Sequence, residues 1–118
     1  MIIKNERLKR SILSALADIE LQKILDAAMS GPKSVNQIMR ETKIPHTSAY
    51  RKIKWLLEEK LLVVDKIEIT DDGKKSSLFS TALKSFYVKY EYNTVVIEAE
   101  QNFDILRKIA EKYFSLDQ

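Results

Sequence analysis

The chain is 118 residues long, 45% hydrophobic and 31% charged, with 2 Gly and 2 Pro, which describes about one folded domain rich in regular structure. Cys is absent and His occurs once, so disulfides, thiolate chemistry and multi-histidine metal sites are excluded. The longest uncharged run, Ser76 to Leu83, has 8 residues, far below the ~20 of a membrane helix, and the charged start (Lys4, Glu6, Arg7, Lys9, Arg10) is no secretory signal; a cytoplasmic protein is expected. The net charge of +3 is unevenly spread: residues 1–60 carry 12 Lys/Arg against 7 Asp/Glu, residues 61–118 carry 8 against 10. An anionic partner would dock on the first half.

Leu8, Ile12, Ala15 and Leu16 recur at helical spacing and predict a first helix over residues 5–16. Asp18 reads as the N-cap of a second helix with Leu21, Ile24, Leu25 and Ala28 inward, ended by Ser30-Gly31-Pro32. Ser34 and Gln37 form a capping box for a short third helix that buries Val35, Ile38 and Met39. A turn is required at Thr42-Lys43-Ile44 because the Pro45 ring disfavours helical geometry before it. Pro45 is placed as the first residue of a fourth helix, about 45–59, with Ala49, Ile53, Leu56 and Leu57 inward.

After Lys60 the period changes to that of strands. Leu61 to Ile69, a turn at Asp72-Gly73 and a return strand from Ser76 to Leu83 form one hairpin, whose register the sequence does not fix. A second hairpin turning at Tyr92-Asn93 sets Tyr90 opposite Val95, Val88 opposite Ile97 and Phe86 opposite Ala99, all apolar and on one face. A last amphipathic helix, 101–116, carries Phe103, Leu106, Ile109, Ala110 and Tyr113.

Two short helices joined by a tight turn and followed by a hairpin have the order of a winged helix-turn-helix. The stretch ILSALADIELQKILDAAMSGPKSVNQIMRETKIPHTSAYRKIKWLLEEKLLVVD resembles the DNA-binding domain of ArsR-like and MarR-like winged-helix regulators. The stretch KKSSLFSTALKSFYVKYEYNTVVIEAE is similar to the strand-rich extension of archaeal ArsR-like members, so the likeness covers roughly residues 8 to 100. It implies an α+β, mainly helical fold: a winged helix-turn-helix unit with its N-terminal helix over 1–83, and a β-hairpin extension with a dimerisation helix over 84–118, in one compact unit. It also implies that the fourth helix enters the major groove of double-stranded DNA.

The residues support that placement independently. Thr47, Tyr50, Arg51 and Lys54 recur along the face opposite Ala49, Ile53 and Leu56, and His46 opens the helix. Such a face offers donors to base edges and phosphates, and the fork of Arg51 can bond two guanine acceptors at once. The alternative is an ordinary solvated helix face. At the hairpin tip, Lys74 and Lys75 stand beside Asp71 and Asp72, so this wing either reaches the adjacent DNA or is simply solvated. Trp55 and the Phe86, Tyr87, Tyr90 and Tyr92 cluster read as core and interface rather than stacking platforms.

Two departures from the family pattern stand out. Lys43 and Lys60 occupy turn positions where Gly is frequent, and the Cys or multiple-His ligands of the metal-sensing branch are missing. Neither a phosphate-binding loop nor a nucleophile–base pair is present, so neither catalysis nor a cofactor is expected. The expectation is a homodimeric transcription regulator joined through helices 5–16 and 101–116. A winged-helix protein-interaction module and a small-molecule-responsive regulator remain the alternatives.

Overall fold

The computed structural model describes residues 1–105, 107, 110 and 111. Helix α1 (Glu6–Leu16) starts where Asn5 Oδ1 accepts the Leu8 amide at 2.9 Å, and α2 (Ile19–Met29) where Asp18 Oδ1 accepts that of Leu21 at 3.0 Å. Each cap satisfies a backbone donor that the first helical turn leaves without a partner. Helix α3 (Val35–Thr42) carries the full capping box: Gln37 N donates to Ser34 Oγ, and Ser34 N donates to Gln37 Oε1 at 2.8 Å. Helix α4 (His46–Glu58) begins one residue later than expected. Pro45 is its N-cap rather than its first turn, with an extended backbone (φ −59°, ψ 148°) whose carbonyl accepts from Ala49 N.

Both lysines at the glycine-like positions adopt the left-handed backbone, Lys43 at φ 62° and Lys60 at φ 63°. Lys43 turns α3 toward α4. Lys60 closes α4 with two bonds, Lys60 N to Leu57 O and Leu61 N to Leu56 O, a Schellman ending built without glycine.

The strands form two antiparallel pairs, β1 (Leu62–Ile69) with β2 (Lys75–Thr81) and β3 (Leu83–Glu91) with β4 (Thr94–Gln101). In the first, Leu62 faces Thr81 and Ile69 faces Lys75, with a bulge between Val64 and Lys66. Lys33 bridges to Phe79, a contact the sequence did not suggest. Leu83, expected to end the return strand, opens β3 instead, because Ala82 N bonds back to Leu61 O and re-aims the chain there. The second hairpin has the expected register: Tyr90 faces Val95, Val88 faces Ile97 and Phe86 faces Ala99. Its turn residues Tyr92 and Asn93 both have positive φ, the backbone of the type I′ turn that matches strand twist. Residues 1–3, not anticipated as structured, lie along β4 through an Ile2–Glu98 bridge and an Ile3 N to Ile97 O bond.

One buried cluster ties these parts together. Ile12 and Ala15 of α1, Ile24 and Leu25 of α2, Ile38 of α3 and Ile53 and Leu56 of α4 pack with Leu61, Leu62, Phe79, Leu83, Ile97 and Ala99. Of the expected inward stripe of α1, Leu8, Ile12 and Ala15 are covered by the protein's own chain, whereas Leu16, read as inward, is exposed along with Leu13. Trp55 packs half-buried against the cluster, as expected. Of the aromatic group on the second hairpin, Phe86 packs against the core, whereas Tyr87, Tyr90 and Tyr92 are exposed and are not core. The last helix begins later than expected. Gln101 belongs to β4, and helical backbone is described at 103–105, 107, 110 and 111, with Asn102 Oδ1 accepting from Ile105 N. Ile105 is buried and Phe103 exposed; Leu106, Ile109 and Tyr113 lie outside the described residues. The architecture is α+β and mainly helical, a helix-turn-helix (α3, α4) followed by a β wing and an added hairpin. No helix among the described residues is long and apolar enough to cross a membrane.

Candidate nucleic-acid interface

Helix α4 is held from its inner side and left open on its outer one. Ala49, Ile53 and Leu56 are buried, while His46, Thr47, Tyr50, Arg51 and Lys54 are exposed. At 100° per residue Thr47 and Lys54 lie along the centre of the open face, with Tyr50 on one flank and Arg51 on the other. The Tyr50 flank looks toward the wing. Together with Ser34 and Asn36 at the start of α3, and with Thr70, Lys74 and Lys75, it lines a cleft of about 850 Å³. The His46 ring stacks obliquely on Tyr50, centroids 4.4 Å apart, which helps hold the Tyr50 ring that lines the cleft. Arg51 lies on the opposite flank, in a shallow depression with Asp18, Leu21, Lys52 and Trp55.

Charge on α4 divides the same way. Lys52 Nζ lies 2.6 Å from Asp18 Oδ2 and 3.3 Å from Glu20 Oε1 at the start of α2, so its charge is spent inside the protein. The bond to Lys52 holds the Asp18 carboxyl below the usual carboxylate range, helped by the Leu21 amide, and the same bond raises the Lys52 ammonium. Just past the C-terminal end of the helix Arg7 donates two bonds to Glu59, at 3.1 and 3.0 Å, and Ser11 Oγ donates a third at 2.6 Å. These donors, Arg7 first, lower the Glu59 carboxyl. Arg51 and Lys54, by contrast, make no ion pair among the described residues. The two cations of α4 that face outward are the two without a carboxylate partner.

The wing tip is ordered by its own acids. Thr70 Oγ1 donates to Asp72 and also to Lys74 O, and Lys74 N donates to Asp72 Oδ1 at 3.3 Å. The Thr70 hydroxyl is the main cause of the lowered Asp72 carboxyl, followed by the Lys74 amide. Asp72 thus serves the turn, with Gly73 at φ 81° completing it, and Lys74 Nζ sits 3.9 Å from its other oxygen. Lys75 is exposed and makes no ion pair among the described residues.

The structure therefore brings Tyr50, Lys74 and Lys75 to one cleft and places Thr47 and Lys54 beside it, with Arg51 one flank away. Sequence reasoning missed the two clamps. Asp18 was legible as a cap, but the partners of Asp18 and Glu59 are 34 and 52 positions away, and no local spacing signals such pairing. It also missed Asn36, which enters the cleft from α3. No group of three or more His, Asp or Glu residues among the described ones is arranged to hold a metal ion.

No known protein-family model matches the chain, and no curated protein does. Among solved structures it is similar to an ArsR family transcriptional regulator at 11% identity, over 97% of this chain and 91% of that one, with a TM-score of 0.45. It is also similar to the homodimeric winged helix-turn-helix DNA-binding domain of a possible ArsR-family transcriptional regulator from Mycobacterium bovis, at 18% identity, over 97% of this chain and 88% of that one, with a TM-score of 0.40.

Proposed function

We propose that the protein is a dimeric regulator of transcription that reads double-stranded DNA, with α4 in the major groove and the wing on the neighbouring backbone. The observation that supports this most is the sorting of charge on α4: Lys52 is neutralised from within, whereas Arg51 and Lys54 face outward without partners among the described residues. In this reading Arg51 reads a base edge through two parallel bonds, and Thr47 and Lys54 approach base or phosphate along the centre of the helix. Tyr50, His46, Lys74 and Lys75 hold the backbone at the cleft and fix the register of the helix. A dimer places two such helices about 34 Å apart, one turn of DNA, and reads a pseudo-palindrome.

Selection from random duplexes supplies the site, and salt titrations of variants on that site and on a scrambled duplex test the assignment. Arg51→Ala costs about 1–3 kcal/mol per half-site and narrows the difference between the two duplexes. Lys54→Ala weakens both alike and reduces the salt slope by about one counterion. Wild-type affinity of Arg51→Ala for both duplexes removes α4 from the groove and leaves the protein-interaction module as the better reading.

A further inference from the structure

The hairpin β3–β4 has two edges with different fates. Residues 1–3 cover the β4 edge, whereas the nine-residue β3 has no hydrogen-bonded neighbour on its other side among the described residues. Pairs alternate outward from a two-residue turn, so with Glu91–Thr94 as the hydrogen-bonded pair beside it, Tyr90, Val88 and Phe86 direct N–H and C=O toward the open edge. Open edges are usually blunted by charged side chains, by proline, by a bulge or by brevity; β3 has no proline, and of its charges Lys89 is paired with Glu91 on its own strand at 3.0 Å. The β1 strand has its bulge at Val64/Lys66, while β3 has one only at its base, between Leu83 and Ser85, and runs regularly from there to the turn. Its exposed side chains are mixed: Lys84, Ser85, Lys89 and Glu91 are polar, while Tyr87 is 65% exposed, Val88 38% and Tyr90 68%.

We infer that this edge is the seat of the dimer: β3 pairs antiparallel with β3 of a second copy about a two-fold axis at Val88, joining the two hairpins into one sheet. The occupant follows from self-complementarity. In that register Val88 meets its own copy, Phe86 meets Tyr90 and Ser85 meets Glu91. Tyr87 meets Lys89, a cation beside an aromatic face. No like charges oppose each other. Shifting the axis to Lys89 would set two ammonium groups against each other, which the proposed register avoids. Tyr87, Val88 and Tyr90, 65%, 38% and 68% exposed, are the apolar side chains that this pairing partly covers. Phe86, Val88 and Tyr90 of both copies then form one continuous apolar face, as an isologous contact requires.

The inference rests on the dimeric reading above, and its test separates the two. Val88→Lys and Val88→Glu each set like charges across the axis, while the residue is exposed enough for the fold to tolerate either; a thermal melt of each variant verifies this. Sedimentation of the full chain gives a dimer for wild type, a dissociation constant raised at least tenfold for each variant alone, and recovery of the dimer when the two variants are mixed. Variants that dimerise like wild type overturn the inference and move the contact elsewhere, the C-terminal helix first. A monomeric wild type overturns it together with the dimeric reading. Binding of a single half-site duplex, measured on the same samples, is unchanged by either substitution; its loss in wild type would refute DNA recognition without touching the sedimentation result.

Discussion

Replacing Lys52 by Met keeps the length of the side chain and removes its charge, which isolates the clamp between α4 and the start of α2. The Lys52 side chain is only 12% exposed, but its partners Asp18 and Glu20 are 36% and 38% exposed, so both carboxylates rehydrate once the ammonium is gone. The loss is therefore that of a partly screened pair, not of a charge stranded in the core. Exposed pairs are worth about 0.2–1 kcal/mol, and the second carboxylate and the short 2.6 Å contact place this one near the top of that range, at about 1 kcal/mol. Urea unfolding monitored by the Trp55 fluorescence reads it directly, as a lower midpoint with an unchanged slope. In 1 M salt, where the screening length falls to ~3 Å, the difference between Lys52→Met and wild type shrinks by half or more. If the loss is the same at both salt concentrations, the stem of Lys52 and not its charge holds the helix. DNA binding supplies the control: Lys52→Met keeps the wild-type salt slope because that charge never faces the groove.

Three further outcomes follow from the same geometry. Lys43→Gly and Lys60→Gly relieve a left-handed backbone that costs an L-residue about 1–2 kcal/mol, offset by the larger unfolded-state entropy of Gly, and each raises stability by about 0.5–1 kcal/mol in thermal melts. Asp18 and Glu59 have carboxyls held below their ordinary values, so their contribution is complete above the usual carboxylate range near pH 4 and is lost as pH falls through the lowered values. Asp18→Asn and Glu59→Gln therefore flatten the acid limb of a melting-temperature profile while lowering the plateau at neutral pH. Ile53→Ala opens a cavity beneath α4 and costs about 2–5 kcal/mol, visible in melts before any binding is measured.

Local chemistry made much of the fold legible. The Ser34 and Gln37 capping box, the Asp18 cap and the register of the second hairpin each depend on residues a few positions apart, and each forms as expected. Misplacements occurred where a distant bond decides. Leu83 joined the wrong strand because the Ala82–Leu61 bond redirects the chain, and Gln101 left the last helix because the β4 ladder claims it before Asn102 can cap. The aromatic cluster, read as core and interface, divides between packed Phe86 and exposed Tyr87, Tyr90 and Tyr92. Alternation shows which side chains share a face, but not how far the underlying core extends, so Tyr90 reads like Phe86 although one overhangs and the other packs. Of the candidate site, the outward stripe of α4 was legible from the positions of Ala49, Ile53 and Leu56. The pairing that distinguishes Lys52 from Lys54 was not.

Under the proposed DNA-reading function, that distinction links stability to recognition. A helix placed in a groove must present its cations to phosphate and base while being held firmly enough that those contacts share one register. Here the two tasks fall to different residues of the same helix. Lys52 ties α4 to the start of α2, and Glu59, just past its last turn, ties it to α1 through Arg7 and Ser11. The buried row of Ala49, Ile53 and Leu56 sets the depth of α4, while the clamps at its middle and just past its C-terminal end oppose rotation about its axis. One residue of roll corresponds to 100°, enough to exchange Arg51 for Lys52 on the open face. Fixing the roll is thus the same act as choosing which side chain reads the base. Substitutions at the clamps therefore erode sequence preference before they erode overall affinity, because a loosened helix keeps its charge and loses its aim.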